Sequence, residues 1–542
     1  MNKKKILLIV GTMLPILILA TLWVFLQPDN PQQHPTTQSN GNNFAIVRQG
    51  TASSIAQQRK ITIGADGVSG NILPAQAVTE ADRLASQIVY EPLAIIGNNG
   101  ALTGLLATSF SVSEAGHTYT FHIKDDAYFS DGSKLTPYDI ERSFLALSAP
   151  GVETEFSPYL SRIYGWAEFR QGIANNIEGI FADPQAGTVT FSFATAGRTN
   201  ERVFLAPVFK GEYGTGPFTL ESVTGENIVL AANHNYHGDA PLLDYVFIRS
   251  ANLTSAPMLL KQGSIDLFWH DYNSALLHQL LPAENISIGM YGGTQVGYIG
   301  FNQHNSLLQN TNILQALSLG LDVNEITQQH YGEFTLQNNA SIVPPYLWLH
   351  PQNRDNTQMY NTSEAIAMLE AEGFALNEYG VFEKDGEELS FVINAINTYQ
   401  ALGICEAVAD SWRHIGVRAN VQTLSFSNLR DTIRNGDFDM LYLNMNIPHD
   451  MDFSVISGND ILLNPIGWQD QIATELAGQI NNSDKIAAKY AFEQWLQNYE
   501  DSNVHLHIDR PVCLVFFNPN VSGLAPYNFG RFTWNIEKWS ME

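Results

Sequence analysis

Three side chains in the C-terminal run HLHID have the chemistry to hold a metal ion. His505, His507 and Asp509 alternate, and alternate residues of a strand share one face. Imidazole nitrogen with a carboxylate would suit a divalent transition metal. The same alternation is far commoner as the polar side of a solvent-facing strand, so no metal is expected here. No G-x-S-x-G, H-E-x-x-H, Walker-type or dinucleotide glycine pattern stands in a suitable setting. With 54 Asp and Glu, paired carboxylates arise by chance, and nothing positive points to a glycosidase. The two cysteines, Cys405 and Cys513, allow one bridge at most, or else stand as two buried thiols. The expectation is a protein with no enzymatic activity and no cofactor.

The bulk numbers fit a globular protein rather than a disordered one. The chain has 542 residues, 44% hydrophobic and 15% charged, which asks for two or three packed units. Lys and Arg total 28 against 54 Asp and Glu, a net charge of -26. A surface this acidic repels phosphate backbones, so nucleic acid is not a partner.

The N-terminus indicates the compartment. Lys3, Lys4 and Lys5 precede an uncharged run from Ile6 to Leu26. Those 21 residues would extend about 31 Å as a helix, enough to cross a bilayer core. The basic flank stays inside, which leaves the rest of the chain outside. Residues 1–26 are read as a retained membrane anchor or a cleaved signal peptide. The run is longer than a signal core, and no small-x-small site ends it, which favours the anchor. The stretch PDNPQQHPTTQSNGNN then has tether composition, and residues 27–58 are expected to form a flexible linker. Folded structure is expected to begin at Arg59.

Beyond it, strand-like and helical stretches alternate. KITIGA, YTFHIKD and TVTFSFAT alternate as strands do. Thr136 followed by Pro137 reads as an N-cap and first-turn proline, and Thr362-Ser363-Glu364 reads as a second helix start. No fixed-period repeat is visible, so a solenoid is not expected and the class is mixed α/β.

Several segments, taken in order, resemble the family of peptide- and nickel-binding proteins of ABC importers. The first runs from Gln87 to Phe144, with its YEPL and a hairpin ending in Phe129, Asp131, Gly132, Leu135 and Thr136. GTGPFTLESVTGENIVLAANHNYHG from Gly214, KQGSIDLFW from Lys261, YIGFNQHNSLLQNTNILQALSLGLDVNEI from Tyr298 and GDFDMLYLN from Gly436 are similar to the family's later motifs. Each motif alone is weak, and their order is what carries the resemblance. These residues mark the fold rather than a site.

The resemblance implies a two-lobed periplasmic-binding-protein-like α/β fold of class II, with an extra subdomain on lobe one. Lobe one would comprise 59–87, 206–295 and 509–542, the subdomain 88–205, and lobe two 296–508. It implies a monomer, which the N-terminal segment, as anchor or signal peptide, would place at the outer face of the cell membrane. The monomer would capture an oligopeptide or another small amide-bearing solute between hinged lobes and present it to an ABC permease and ATPase complex. A surface ligand sensor without an importer is the alternative, and a hydrolase a more distant one. The implied ligand contacts are Tyr298 and Asn302 on the strand entering lobe two, Tyr346 and Trp348 after a Pro-Pro turn, and Tyr442, Met445 and Asn446 at the GDFDM strand. The family's ammonium-binding aspartate aligns with Pro448. Either Asp450 takes that role or a free amine is not gripped in this way.

Overall fold

In this computed structural model, the described residues are 44–52, 59–97, 101–113, 116–293, 295–334, 342–343, 348–351, 359–447, 453–459, 464–483, 485–526 and 532–542. The run Ile6–Leu26 lies outside them. Among the described residues no helix is long and apolar enough to cross a membrane.

The elements that position the site follow in chain order. The first part of the chain supplies β1 (Ala45–Arg48), β2 (Lys60–Ala65), α1 (Glu80–Val89), β3 (Ala107–Val112), β4 (Thr118–Ile123), α2 (Pro137–Leu147), β5 (Ile180–Asp183) and β6 (Thr188–Ser192). Next come β7 (Phe218–Thr224), β8 (Asn227–Ala232), β9 (Tyr245–Ser250), β10 (Leu267–Asp271), α3 (Ser274–Leu280), β11 (Ser287–Gly292), β12 (Gln295–Phe301) and α4 (Val323–Tyr331). The last part supplies β13 (Ser390–Ile396), α5 (Tyr399–His414), β14 (Arg418–Leu424), α6 (Phe426–Asn435) and β15 (Met440–Asn446). It ends with α7 (Gln471–Asn482), α8 (Lys485–Ser502), β16 (His505–Asp509) and β17 (Val512–Phe517).

Three sheets organise these elements. Lobe one is built on an eight-stranded sheet in the order β1-β11-β17-β10-β2-β9-β8-β7. Lobe two is built on a five-stranded sheet in the order β14-β13-β15-β12-β16. The subdomain carries a four-stranded sheet in the order β3-β4-β6-β5. Its core is aromatic, with the Phe121 and Phe204 rings 4.6 Å apart and Phe144 and Phe191 4.8 Å apart. Such pairs bury large apolar area in a small body.

Strong local signals hold in the structure. Thr136 caps α2 in a capping box whose Asp139 carboxylate accepts from the Thr136 backbone N–H at 2.9 Å, with Pro137 first in the helix. At the second helix start the cap is Asn361, one residue before the expected Thr362, because its side chain accepts from the Glu364 backbone N–H.

The expected linker needs a correction. Residues 45–48 form β1, which pairs antiparallel with β11 through Ala45 and Met290 and Ile46 and Gly289. Arg48 clasps it in place, donating to the carbonyls of Ala283 at 2.7 Å and Ile286 at 2.6 Å, and to that of Leu281. Polar composition earlier in the stretch hid a four-residue edge strand whose register depends on a partner 240 or so residues away. Cys405 and Cys513 are both free thiols, the first in α5 of lobe two and the second in β17 of lobe one.

Candidate functional site: the hinge and the sheet edge beside it

Two strands cross between the lobes side by side. β11 ends at Gly292 in the lobe-one sheet and β12 starts at Gln295 in the lobe-two sheet. β16 ends at Asp509 in lobe two and β17 starts at Val512 in lobe one. Because β11 pairs with β17 and β12 pairs with β16, the crossings form one two-stranded ribbon. At its centre a Cβ on Gly293 would lie 2.7 Å from the Pro511 carbonyl oxygen, so only glycine lets the strands pass this closely.

The register slips just inside lobe two. Gly297 faces Asp509, but Tyr298 faces His507, so Ile508 is the extra residue of a bulge. The bulge reverses the alternation. His505 and His507 point to one side, where the Tyr499 hydroxyl lies 3.0 Å from His505 Nδ1 and 3.1 Å from His507 Nε2. Asp509 points to the other, where its carboxylate accepts from the Tyr442 hydroxyl at 3.0 Å and from the Tyr331 hydroxyl. Gln400, at the start of α5, donates to Tyr331 in turn.

This overturns the reading of HLHID as a solvent-facing polar strand. All five residues are buried, and the three polar ones do not share a face. Among the described residues no group of three or more His, Cys, Asp or Glu could hold a metal ion. Burial, with the nearby His507, pulls the His505 imidazole down to about 3, so it is neutral at physiological pH. Burial pushes the Asp509 carboxyl above its ordinary value, although the two tyrosine hydroxyls pull the other way.

The lobes also touch beside the ribbon. Tyr272, just after β10 of lobe one, places its ring edge-on to Tyr331 of lobe two with centroids 4.7 Å apart. Its hydroxyl donates to the His330 carbonyl at 3.2 Å. Phe334, two residues past Gly332, is buried in the lobe-one core with Leu276, Leu277 and Leu514. At a third place a Cβ on Gly197 of the subdomain would lie 2.8 Å from the Asn481 carbonyl oxygen at the end of α7.

The ribbon defines which edge of the lobe-two sheet faces lobe one. β13, β14, β15 and β16 run in one direction, and β12, between β15 and β16, runs against them. The start of β12 and the end of β16 therefore share an edge with the carboxyl ends of β13, β14 and β15. The residues there are Ile396, Leu424, Asn446 and Gln295. Carboxyl ends of parallel strands are where open α/β sheets bind ligands.

Against that frame the sequence-derived residues divide. Tyr298 is buried, its ring edge-on to His505 at 4.7 Å. Asn302 is also buried. Its amide donates to the Phe438 carbonyl at 2.6 Å and its oxygen accepts from the His304 backbone at 2.9 Å, so it holds a turn. The Tyr442 hydroxyl is engaged by Asp509. These three serve the interior of lobe two. Asn446 is exposed opposite Gln295 at the hinge-side edge, and Met445 beside it is half-buried. Trp348 is half-buried against the core that contains Phe438 and Leu441. Tyr346 and Asp450 lie outside the described residues.

Sequence reasoning missed Tyr399 and Phe426. Each is the first residue of a helix that follows a strand of this edge, and they are 87% and 70% exposed. The available signal was a strand pattern followed by a capping Thr398 or Ser425 and then an aromatic residue. It also missed Tyr272 and Tyr331, whose meeting depends on the crossing of two lobes.

A profile of the family described as bacterial extracellular solute-binding proteins, family 5 Middle, matches residues 101–457. The chain belongs to this family. The family-5 profile covers the subdomain, much of lobe one and most of lobe two. The chain is similar to the oligopeptide-binding protein OppA of Lactococcus lactis subsp. lactis, 24% identical over 58% of this chain and 60% of that one. It is similar to the oligopeptide-binding protein AppA of Bacillus subtilis, 27% identical over 61% of this chain and 62% of that one. The matched region thus spans about three-fifths of the length of these relatives. Among solved structures, the unliganded open form of the periplasmic murein tripeptide-binding protein MppA superposes with a TM-score of 0.77 at 18% identity. That superposition covers 91% of this chain and 98% of that one. At such identity the likeness is one of fold, and the fold is two-lobed.

Proposed function

We propose that this protein is an extracytoplasmic solute-binding protein that closes two hinged lobes around an oligopeptide or similar amide-bearing solute and hands it to an ABC importer. The observation that carries the reading is the crossing ribbon at Gly293 and Pro511, a narrow two-stranded joint beside the carboxyl ends of the parallel strands of lobe two. Ligand contacts made only when the lobes meet shift such a joint toward its closed form. Asn446 and Gln295 offer side-chain amides at that edge, which suits hydrogen bonding to an amide-bearing ligand. Asn446, Met445 and Trp348 are the proposed contacts among the described residues. Tyr346 and Asp450 are proposed with them on sequence grounds. Two relatives that carry oligopeptide binding in their names support the ligand class. The uncharged run Ile6–Leu26 would hold the protein at the outer face of the membrane.

The test is thermal unfolding of the purified full-length protein with and without a tryptic peptide mixture. A ligand that binds only the folded state stabilises it by about 2.7 kcal/mol at a hundred times its Kd. A rise in Tm together with a smaller radius of gyration is expected. Unchanged Tm and unchanged dimensions across di- to decapeptides would reject the peptide reading.

A further inference from the structure

We infer that Tyr399 and Phe426 form a specificity-determining wall on the lobe-two side of the cleft, and that the ligand group they take is uncharged and apolar. The inference rests on the solute-binding reading and narrows it to a ligand class.

The topology places the two aromatics on neighbouring connections at one edge of the sheet. β13 and β14 are adjacent and parallel, paired from Ser390 and Arg418 to Ile396 and Leu424. The helix that leaves β13 is α5, and its Ile404, Val408 and Trp412 join the core on one face of the sheet. The helix that leaves β14 is α6, and its Leu429 and Ile433 join the core on the other face. Neighbouring strands whose helices depart to opposite faces leave a crevice outside their carboxyl ends, the switch point at which α/β sheets bind ligands. The two connections are tied across that crevice by the Asn397 backbone N–H, which donates to the Leu424 carbonyl at 2.8 Å.

Local chemistry then fixes which residue faces outward. Thr398 caps α5 by accepting from the Ala401 backbone N–H at 3.2 Å. Ser425 caps α6 by accepting from the Asn428 backbone N–H at 3.3 Å. Each cap is followed at once by an aromatic residue at the first helical position. There it lies outside both cores, and Tyr399 and Phe426 stay 87% and 70% exposed. A single exposed aromatic is ordinary on any surface. Two on tied neighbouring loops at the hinge-side edge, with a partly exposed Ile396 ending β13, put exposed apolar side chains beside one crevice.

The charge pattern selects the ligand group. Among the described residues of these connections, 396–400, 424–428 and 444–447 contain no charged side chain, although the protein carries a net charge of -26, and Asp450 farther along the third connection lies outside the described residues. Gln295 at the start of β12 is neutral. Asp509 at the end of β16 is buried, with its carboxylate held by Tyr331 and Tyr442. A charged ligand group placed here would lose water without gaining an opposite charge among these residues. An apolar or aromatic group gains burial and ring contacts.

Two probes test the inference on the full-length protein. The first is the uncharged fluorescent amine N-phenyl-1-naphthylamine. The second is a set of pentapeptides Ala-Ala-X-Ala-Ala with Phe, Lys or Glu at X. The fluorescent amine should bind, with Y399A and F426A each weakening it about tenfold and Y399F leaving it nearly unchanged. The Phe peptide should bind at least tenfold more tightly than the Lys and Glu peptides, and the double alanine variant should lose that preference. Both residues are exposed, so the variants should keep the wild-type circular dichroism. No binding of the amine, amine binding indifferent to both substitutions, or Lys or Glu peptides binding as well as Phe would overturn the inference. If no pentapeptide binds while the amine still depends on the aromatic pair, the peptide reading falls and the apolar wall stands.

Discussion

Tyr272 of lobe one and Tyr331 of lobe two meet edge-to-face with ring centroids 4.7 Å apart, beside the ribbon that joins the lobes. Through this contact Asp509 at the end of β16, Gln400 at the start of α5 and the first lobe are held in one chain of neighbours. Motion of one lobe against the other must either preserve that contact or break it.

Tyr272→Ala removes the ring pair and the hydrogen bond to the His330 carbonyl. The two contributions together amount to about 1–3 kcal/mol. Ligand release, followed by stopped-flow fluorescence, should speed up by roughly tenfold, and Tyr272→Phe should recover about half of the loss. Equal rates in all three proteins would show that the contact is indifferent to closure.

The two buried groups on β16 give opposite pH dependences. His505 titrates in the folded protein well below its ordinary value, at about 3. Its contribution to stability is therefore present above about pH 6.5 and is lost as the pH falls from there toward 3. Asp509 titrates above its ordinary value. Its contribution is present below the ordinary carboxylate pKa and is lost as the pH rises through the raised one. Calorimetric Tm from pH 3 to 8 should show a shallower acid limb in His505→Gln. Asp509→Asn should gain on the wild type as the pH rises through mildly acidic values. Parallel curves for all three proteins would contradict the burial of these groups.

Gly297→Ala should be among the most damaging single substitutions in the protein. Its Cβ would fall 1.6 Å from Asp509 Oδ1 and 2.9 Å from the Tyr442 hydroxyl. Neither group can withdraw without losing a buried hydrogen bond, so a loss of about 3 kcal/mol or more is expected. Urea unfolding of the soluble fraction would measure it, and a midpoint equal to the wild type would refute the bulge geometry.

Arg48→Ala should loosen the edge strand. It deletes donors to the carbonyls of Ala283 and Ile286 near the end of α3. A cost of about 1–3 kcal/mol is expected, confined to β1 and its neighbour β11. Hydrogen exchange should rise there and remain unchanged in lobe two.

Much of this protein could be read from its residues one segment at a time. Strand alternation in KITIGA and YTFHIKD, the Thr136-Pro137 helix start and the ordered motifs from Gln87 to Asn444 are short-range features, settled by backbone sterics and neighbouring side chains. They were enough to give the α/β class, the family and its two-lobed plan.

The site was less legible, because its geometry depends on pairings between distant strands. One bulge opposite Gly297 decides that Asp509 turns away from His505 and His507, and nothing within HLHID announces it. Tyr298, Asn302 and Tyr442 look like ligand contacts along the chain, but sheet register sends them into the lobe-two interior. Tyr399 and Phe426 look like ordinary helix residues until the crossing of α5 and α6 to opposite faces leaves them at the same crevice. Local sequence sets what each segment prefers. The register between strands that lie far apart in the chain sets which side chains meet.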